Sequence, residues 1–106
     1  MRGEFGLSDS DLAVIRTVLK KHTQIQKALL FGSRAKGNQK ISSDVDLALF
    51  GNNLSGVVPQ ILGELEDESP LPYRFDIVDF DSVSNLDLKS HILRVGKVLF
   101  ETETSS

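Results

Sequence analysis

The stretch Leu29-Leu30-Phe31-Gly32-Ser33-Arg34-Ala35-Lys36-Gly37, resumed at Ser43-Asp44-Val45-Asp46-Leu47, decides how the rest of this chain reads. An apolar segment ends in Gly-Ser. Ten residues follow Ser33, and then a second apolar segment opens with two aspartates one residue apart. Side chains alternate along a strand, so Asp44 and Asp46 share a face, with Cα atoms roughly 6–7 Å apart. Two carboxylates on one face suit a hard divalent cation such as Mg2+. Aspartate is a poor strand former, so two of them ahead of an apolar run need a reason. A Gly-Ser turn presents backbone N–H groups to a phosphate, the more so where it opens a helix. Phosphate on one segment and metal on the other point to phosphoryl or nucleotidyl transfer. The plainer alternatives are an exposed strand edge for the aspartates and an ordinary strand-to-helix turn for Gly32-Ser33. The chain has no Gly-x-x-x-x-Gly-Lys-Ser/Thr, which sets it apart from P-loop proteins.

The pattern Gly32-Ser33, ten residues, Asp44-Val45-Asp46 resembles the signature of the polymerase-beta-like nucleotidyltransferases. The form Gly-Ser-Arg-Ala-Lys-Gly resembles in particular the minimal nucleotidyltransferases, the small partners of HEPN-domain proteins in prokaryotic toxin–antitoxin pairs. Lys36 stands where the commonest family form has arginine, which keeps the charge. The likeness runs from about residue 28 to residue 79 and more loosely to the end. It implies an α+β fold, with a small mixed β-sheet and helices packed against one face. It also implies a third carboxylate on a later strand, which Asp76 in Phe75-Asp76-Ile77-Val78 supplies.

By the same resemblance, Asp44 and Asp46 bind two Mg2+ ions, and Asp76 joins at the one nearer the nucleophile. Gly32 and Ser33 hold the β- and γ-phosphates of ATP through backbone N–H groups and the Ser33 hydroxyl. Arg34 neutralises phosphate charge, or is a solvated or structural arginine. AMP then moves to an acceptor hydroxyl, which in the best-understood members is a tyrosine of a HEPN ribonuclease toxin. The implied partner is a HEPN-family protein, and this chain is its antitoxin, a protein adenylyltransferase. Two other readings stay open: a nucleotidyltransferase with a small-molecule acceptor, and a non-catalytic antitoxin that masks its partner by binding.

A chain of 106 residues is expected to form one domain and can bury a core without disulfides. Its 40% hydrophobic and 25% charged content is that of an ordinary soluble globular protein. The absence of cysteine rules out a disulfide framework, a zinc–thiolate site and a thiol nucleophile, and fits the cytoplasm. No apolar run approaches the roughly 18 residues of a membrane span. The net charge is −3, and the only basic grouping near the motif is Arg34, Lys36 and Lys40. Three cations suit a triphosphate better than a nucleic-acid backbone, which argues against direct nucleic-acid binding. His22 and His91 share no metal-ligand spacing.

Around the motif, periodicity predicts a helix from an N-cap at Ser8 to about His22 and strands at 27–31 and 45–50. A short helix over 33–36 and a polar loop over 38–43 join those strands. A helix beginning near residues 55–58 accommodates Pro59 in its first turn. A third strand covers 74–80, and a helix over 83–95 is capped by Ser84 with Asp87. Gly96 is the expected C′ residue of that helix, and a last strand covers 97–101. Ser43 reads as a loop cap, Tyr73 as packing, and Asp79 and Asp81 as loop residues outside the site. The acidic run Glu64, Glu66, Asp67, Glu68 reads as a solvated face. Residues 1–7 and 102–106 are expected to be flexible ends.

Overall fold

Ser8 starts the first helix with a reciprocal cap. Its Oγ accepts from the Asp11 N–H at 3.0 Å, and its own N–H donates to Asp11 Oδ2 at 3.3 Å. The computed structural model describes residues 7–32, 44–71 and 73–102. Helix α1 (Asp9–Lys20) leads to β1 (Ile25–Phe31), β2 (Val45–Gly51), a 3-10 turn (Leu54–Gly56) and α2 (Val58–Glu66). Strand β3 (Phe75–Asp79), a second 3-10 turn (Phe80–Ser82), α3 (Leu86–Val95) and β4 (Lys97–Glu101) complete the order. The short helix expected over 33–36 and the loop over 38–43 lie outside the described residues.

The strands form one mixed sheet in the order β3-β2-β1-β4. Strand β1 runs antiparallel to both its neighbours, and β2 and β3 run parallel, joined by the α2 crossover. Alternation divides the sheet residues between two cores. Ala28, Leu30, Leu47, Leu49, Phe75 and Leu99 meet α1 and α2 on one face. Leu29, Phe31 and Ala48 meet Ile92 of α3 on the other. Both faces of β2 are therefore covered, as its apolar run predicts. The expectation of helices on one face alone is corrected: α3 turns its Leu88, Ile92 and Val95 stripe onto the opposite face. At the end of that helix a Cβ on Gly96 would crowd the Ile92 carbonyl and Leu29.

Several boundaries move for identifiable reasons. The cap of α3 is Asn85 rather than Ser84, its Oδ1 accepting from the N–H groups of Asp87 at 2.9 Å and Leu88 at 3.1 Å. Gly96 ends the helix in an extended conformation (φ −65°, ψ 143°) rather than as a left-handed C′ residue. Leu7, expected to be frayed, is fully buried in the larger core, where an apolar residue before the cap packs beside Leu12 four residues into the helix. Thr102 is tied to the sheet by its N–H, which donates to the Gln26 carbonyl at 2.9 Å. Asp79 closes β3 instead of lying in a loop. No helix among the described residues is long and apolar enough to cross a membrane.

The acidic run at the end of α2 is not simply solvated. Glu64 Oε1 lies 2.7 Å from Nε2 of the buried His22, and its Oε2 lies 3.6 Å from Lys21 Nζ. The hydrogen bond to His22, helped by the two neighbouring charges, holds the Glu64 carboxyl below the usual carboxylate range against the opposing effect of burial. A carboxyl depressed in the folded state stabilises the fold above its unfolded pKa of about 4.3, and this contribution is lost as pH falls through the folded value. Thermal unfolding midpoints measured from pH 6 to pH 3 should therefore fall more steeply for the natural chain than for Glu64→Gln. Parallel curves would show that the contact contributes nothing.

Candidate active site

The carboxylates are placed by the sheet. Asp44 is exposed on the residue just ahead of β2, and Asp46 is half-buried as the second residue of that strand. Asp76 is exposed in β3 and lies directly across from Asp46 in the parallel register. Neighbouring strands are about 4.8 Å apart, and paired residues of a parallel ladder share a face. That face also carries Phe31, the partner of Asp46 on β1, and the α3 core. Val45 and Phe75, which flank the aspartates, point the other way into the larger core. The two apolar residues thus anchor the strands while their neighbours stand out at one end of the sheet.

Gly32 follows β1 at that end with φ +80°, in the left-handed region that glycine occupies without penalty. A Cβ built there would overlap the Asp46 carboxylate and come within 3.1 Å of its Cγ. The backbone and the carboxylate can approach so closely only because this residue has no side chain. Ser33 and Arg34, the other expected phosphate contacts, lie outside the described residues, as do Lys36 and Lys40.

The donor set fits a hard cation: three carboxylates, all oxygen, on adjacent strand ends. Among the described residues, no three carboxylate or imidazole side chains stand close enough as they are to hold one metal ion. Asp44 and Asp76 are exposed, so packing does not fix their rotamers, and rotation about χ1 is open to both. Like charges opposed in a ladder repel, and a cation between them would relieve that cost.

Other polar residues separate cleanly from this group. Asp79, three residues after Asp76, falls on the opposite face by alternation. Its Oδ2 accepts from Ser82 Oγ at 2.9 Å, and its Oδ1 is buried without a hydrogen-bond partner among the described residues. The Tyr73 hydroxyl donates to Asp11 Oδ2 at 2.8 Å, latching the start of β3 to α1. His22 is engaged by Glu64 beneath the other face. Glu66, expected to lie on a solvated face with the rest of the acidic run, is half-buried, and its Oε2 accepts from the Phe75 N–H at 2.7 Å, next to Asp76. No local pattern marks that contact, since the partner is a backbone group nine residues on.

A small mixed sheet with carboxylates on adjacent strands, beside a glycine turn closing a third, is the core of a nucleotidyltransferase. The family model described as polymerase beta, nucleotidyltransferase, matches residues 14–105. The chain belongs to that family. It is 33% identical over 101 residues to a Haemophilus influenzae protein named probable protein adenylyltransferase MntA, covering 94% of this chain and 88% of that one. Its fold matches a chain of a solved toxin–antitoxin complex with AMP-PNP at a TM-score of 0.70 and 26% identity, covering 87% of this chain and 74% of the other. It also matches a chain of a complex described as a tri-AMPylated Shewanella oneidensis HEPN toxin with MNT antitoxin, at a TM-score of 0.65, 22% identity and coverage of 89% and 72%.

Proposed function

We propose that this chain is a cytoplasmic protein adenylyltransferase that moves AMP from ATP to an acceptor hydroxyl, a tyrosine of a HEPN-family toxin, and so acts as its antitoxin. The observation that carries the reading is the register of Asp46 against Asp76, with Asp44 two residues ahead of Asp46 and Gly32 against the Asp46 carboxylate. The similarity to the protein named probable adenylyltransferase MntA supports the group transferred. The solved likeness to a toxin–antitoxin complex with AMP-PNP supports both ATP and a protein partner.

In this reading Asp44, Asp46 and Asp76 hold two Mg2+ ions. Bound there, the metal supplies charge neutralisation at the α-phosphate and lowers the pKa of the acceptor hydroxyl. The chain's own residues do the rest. Gly32 and Ser33 offer backbone N–H groups and a hydroxyl to the β- and γ-phosphates, with Arg34 countering their charge. That orientation sets pyrophosphate in line to leave as the acceptor oxygen attacks the α-phosphorus. In the same reading Asp76, on the edge strand, helps to take the proton of the incoming hydroxyl. The acceptor protein covers the open end of the sheet and excludes water.

The test is intact mass of this chain and its co-expressed genomic neighbour after incubation with ATP and Mg2+. One or more adenylyl groups on the neighbour, absent with Asp44→Asn/Asp46→Asn, are expected. A stable complex that gains no mass, with the double variant still neutralising the toxin, would sink the proposal in favour of masking by binding. No gain and no complex would sink it in favour of a small-molecule acceptor.

A further inference from the structure

We infer that Glu66 is a positioning residue for the three carboxylates, an inference that rests on their assignment above. Strand β3 lies at the edge of the sheet, so its outer N–H groups meet no neighbouring strand. At its start the outer N–H of Phe75 donates instead to Glu66 Oε2 at 2.7 Å. The carbonyl of that same peptide, Arg74 C=O, points inward and accepts from the Val45 N–H at 2.9 Å. The Arg74–Phe75 peptide, one residue short of Asp76, is therefore gripped from both sides, by α2 outside and β2 inside.

The inner grip matters because of where it lands. The Val45 N–H belongs to the peptide joining Asp44 to Val45, and Asp46 follows directly. One line of hydrogen bonds thus runs from Glu66 through the Arg74–Phe75 peptide to the Asp44–Val45 peptide. It passes between the backbone positions of all three aspartates, and successive hydrogen bonds in such a line polarise and strengthen one another. The Val45 N–H fixes the start of β3 against β2, and the Glu66 carboxylate fixes the same peptide against α2, so the start of the edge strand is held from two elements at once. Partners that hydrogen-bond metal ligands directly are worth about 10–100-fold in metal affinity, and one that acts through the ligand's backbone is expected at the low end of that range.

The test uses the full chain, with Mn2+ in place of Mg2+ so that binding is read by electron paramagnetic resonance without any turnover. Glu66→Ala is expected to weaken Mn2+ binding about tenfold and to speed hydrogen exchange at the Phe75 amide. Glu66→Gln keeps an acceptor oxygen and should stay within about threefold of the natural chain, a rescue that loss of charge alone would not allow. Glu66→Ala binding Mn2+ as tightly as the natural chain, with the Phe75 amide unprotected, overturns the inference. So does Glu66→Gln falling as far as Glu66→Ala. If circular dichroism shows Glu66→Ala unfolded, Glu66→Asp replaces it: its shorter side chain should lose affinity that Glu66→Gln retains, and the reverse order overturns the role. A natural chain that binds Mn2+ but adenylylates nothing defeats the adenylyltransferase reading alone. Transfer and Mn2+ binding both intact in Glu66→Ala defeat the positioning role alone.

Discussion

Asp76→Asn is expected to cut AMP transfer by about a thousandfold or more while leaving the fold as stable as before, or more so. The first half follows from its place. Asp76 stands level with Asp46 on the neighbouring strand, and the proposed function gives it a share of the metal and the proton of the acceptor hydroxyl. A neutral amide there neither holds a cation nor takes a proton, and loss of one preorganised electrostatic group costs roughly 10²–10³ in rate by itself. The second half follows from its surroundings. Asp76 is exposed, so its replacement opens no cavity. It also removes a like-charge opposition worth roughly 0.2–1 kcal/mol, less at physiological salt. In EDTA the unfolding midpoint of the variant should match that of the natural chain or exceed it by a few degrees. Added Mg2+ should raise the natural chain's midpoint by mass action and leave the variant's nearly unmoved. Asp76→Asn that unfolds at markedly lower temperature in EDTA would make this carboxylate a structural acceptor and remove it from the site.

Which parts of this protein could be read from sequence depends on the range of the interaction. Helix α1 and strands β2 and β4 fall where periodicity places them, because alternating or helical burial is written into consecutive residues. Spacing alone predicts that Asp44 and Asp46 share a face, but only Asp46 lies within β2, and Asp44 falls on the residue ahead of it, where strand alternation does not fix the side chain. Contacts between distant segments could not be read this way. The register that opposes Asp46 to Asp76 depends on strand order, which periodicity does not encode, and the placing of α3 on the second face depends on the same order. Glu64 and Glu66 sit in one acidic run and look alike in sequence. One meets His22, 42 positions away, and the other a backbone N–H. The cap of α3 was misplaced by one residue because Ser84 and Asn85 are both competent caps, and only the turn geometry selects Asn85. The burial of Leu7 was legible after all, as an apolar residue directly before a Ser cap.

Gly32→Ala should be the most damaging single-atom addition at the site, lowering both stability and turnover. Two separate costs meet at this residue. Its φ of +80° is a conformation that costs an L-residue roughly 1–2 kcal/mol. The new methyl would also overlap the Asp46 carboxylate, so one of the two must move. Asp46 is anchored by β2, between the buried Val45 and Leu47, so its side chain must give way by rotation or the Gly32 turn must back off. Either shift displaces the proposed metal ligand from the proposed phosphate-binding turn, and a misplacement of about 1 Å at a reacting centre costs on the order of 10²-fold. Turnover in the adenylyl-transfer assay should therefore fall about a hundredfold, and the unfolding free energy by about 1–3 kcal/mol. A double-mutant cycle separates the two causes. With Asp46→Ala in place there is no carboxylate to strike, so Gly32→Ala should then cost only the backbone strain. If Gly32→Ala destabilises both backgrounds equally, overlap with Asp46 contributes nothing, and the glycine serves the turn alone.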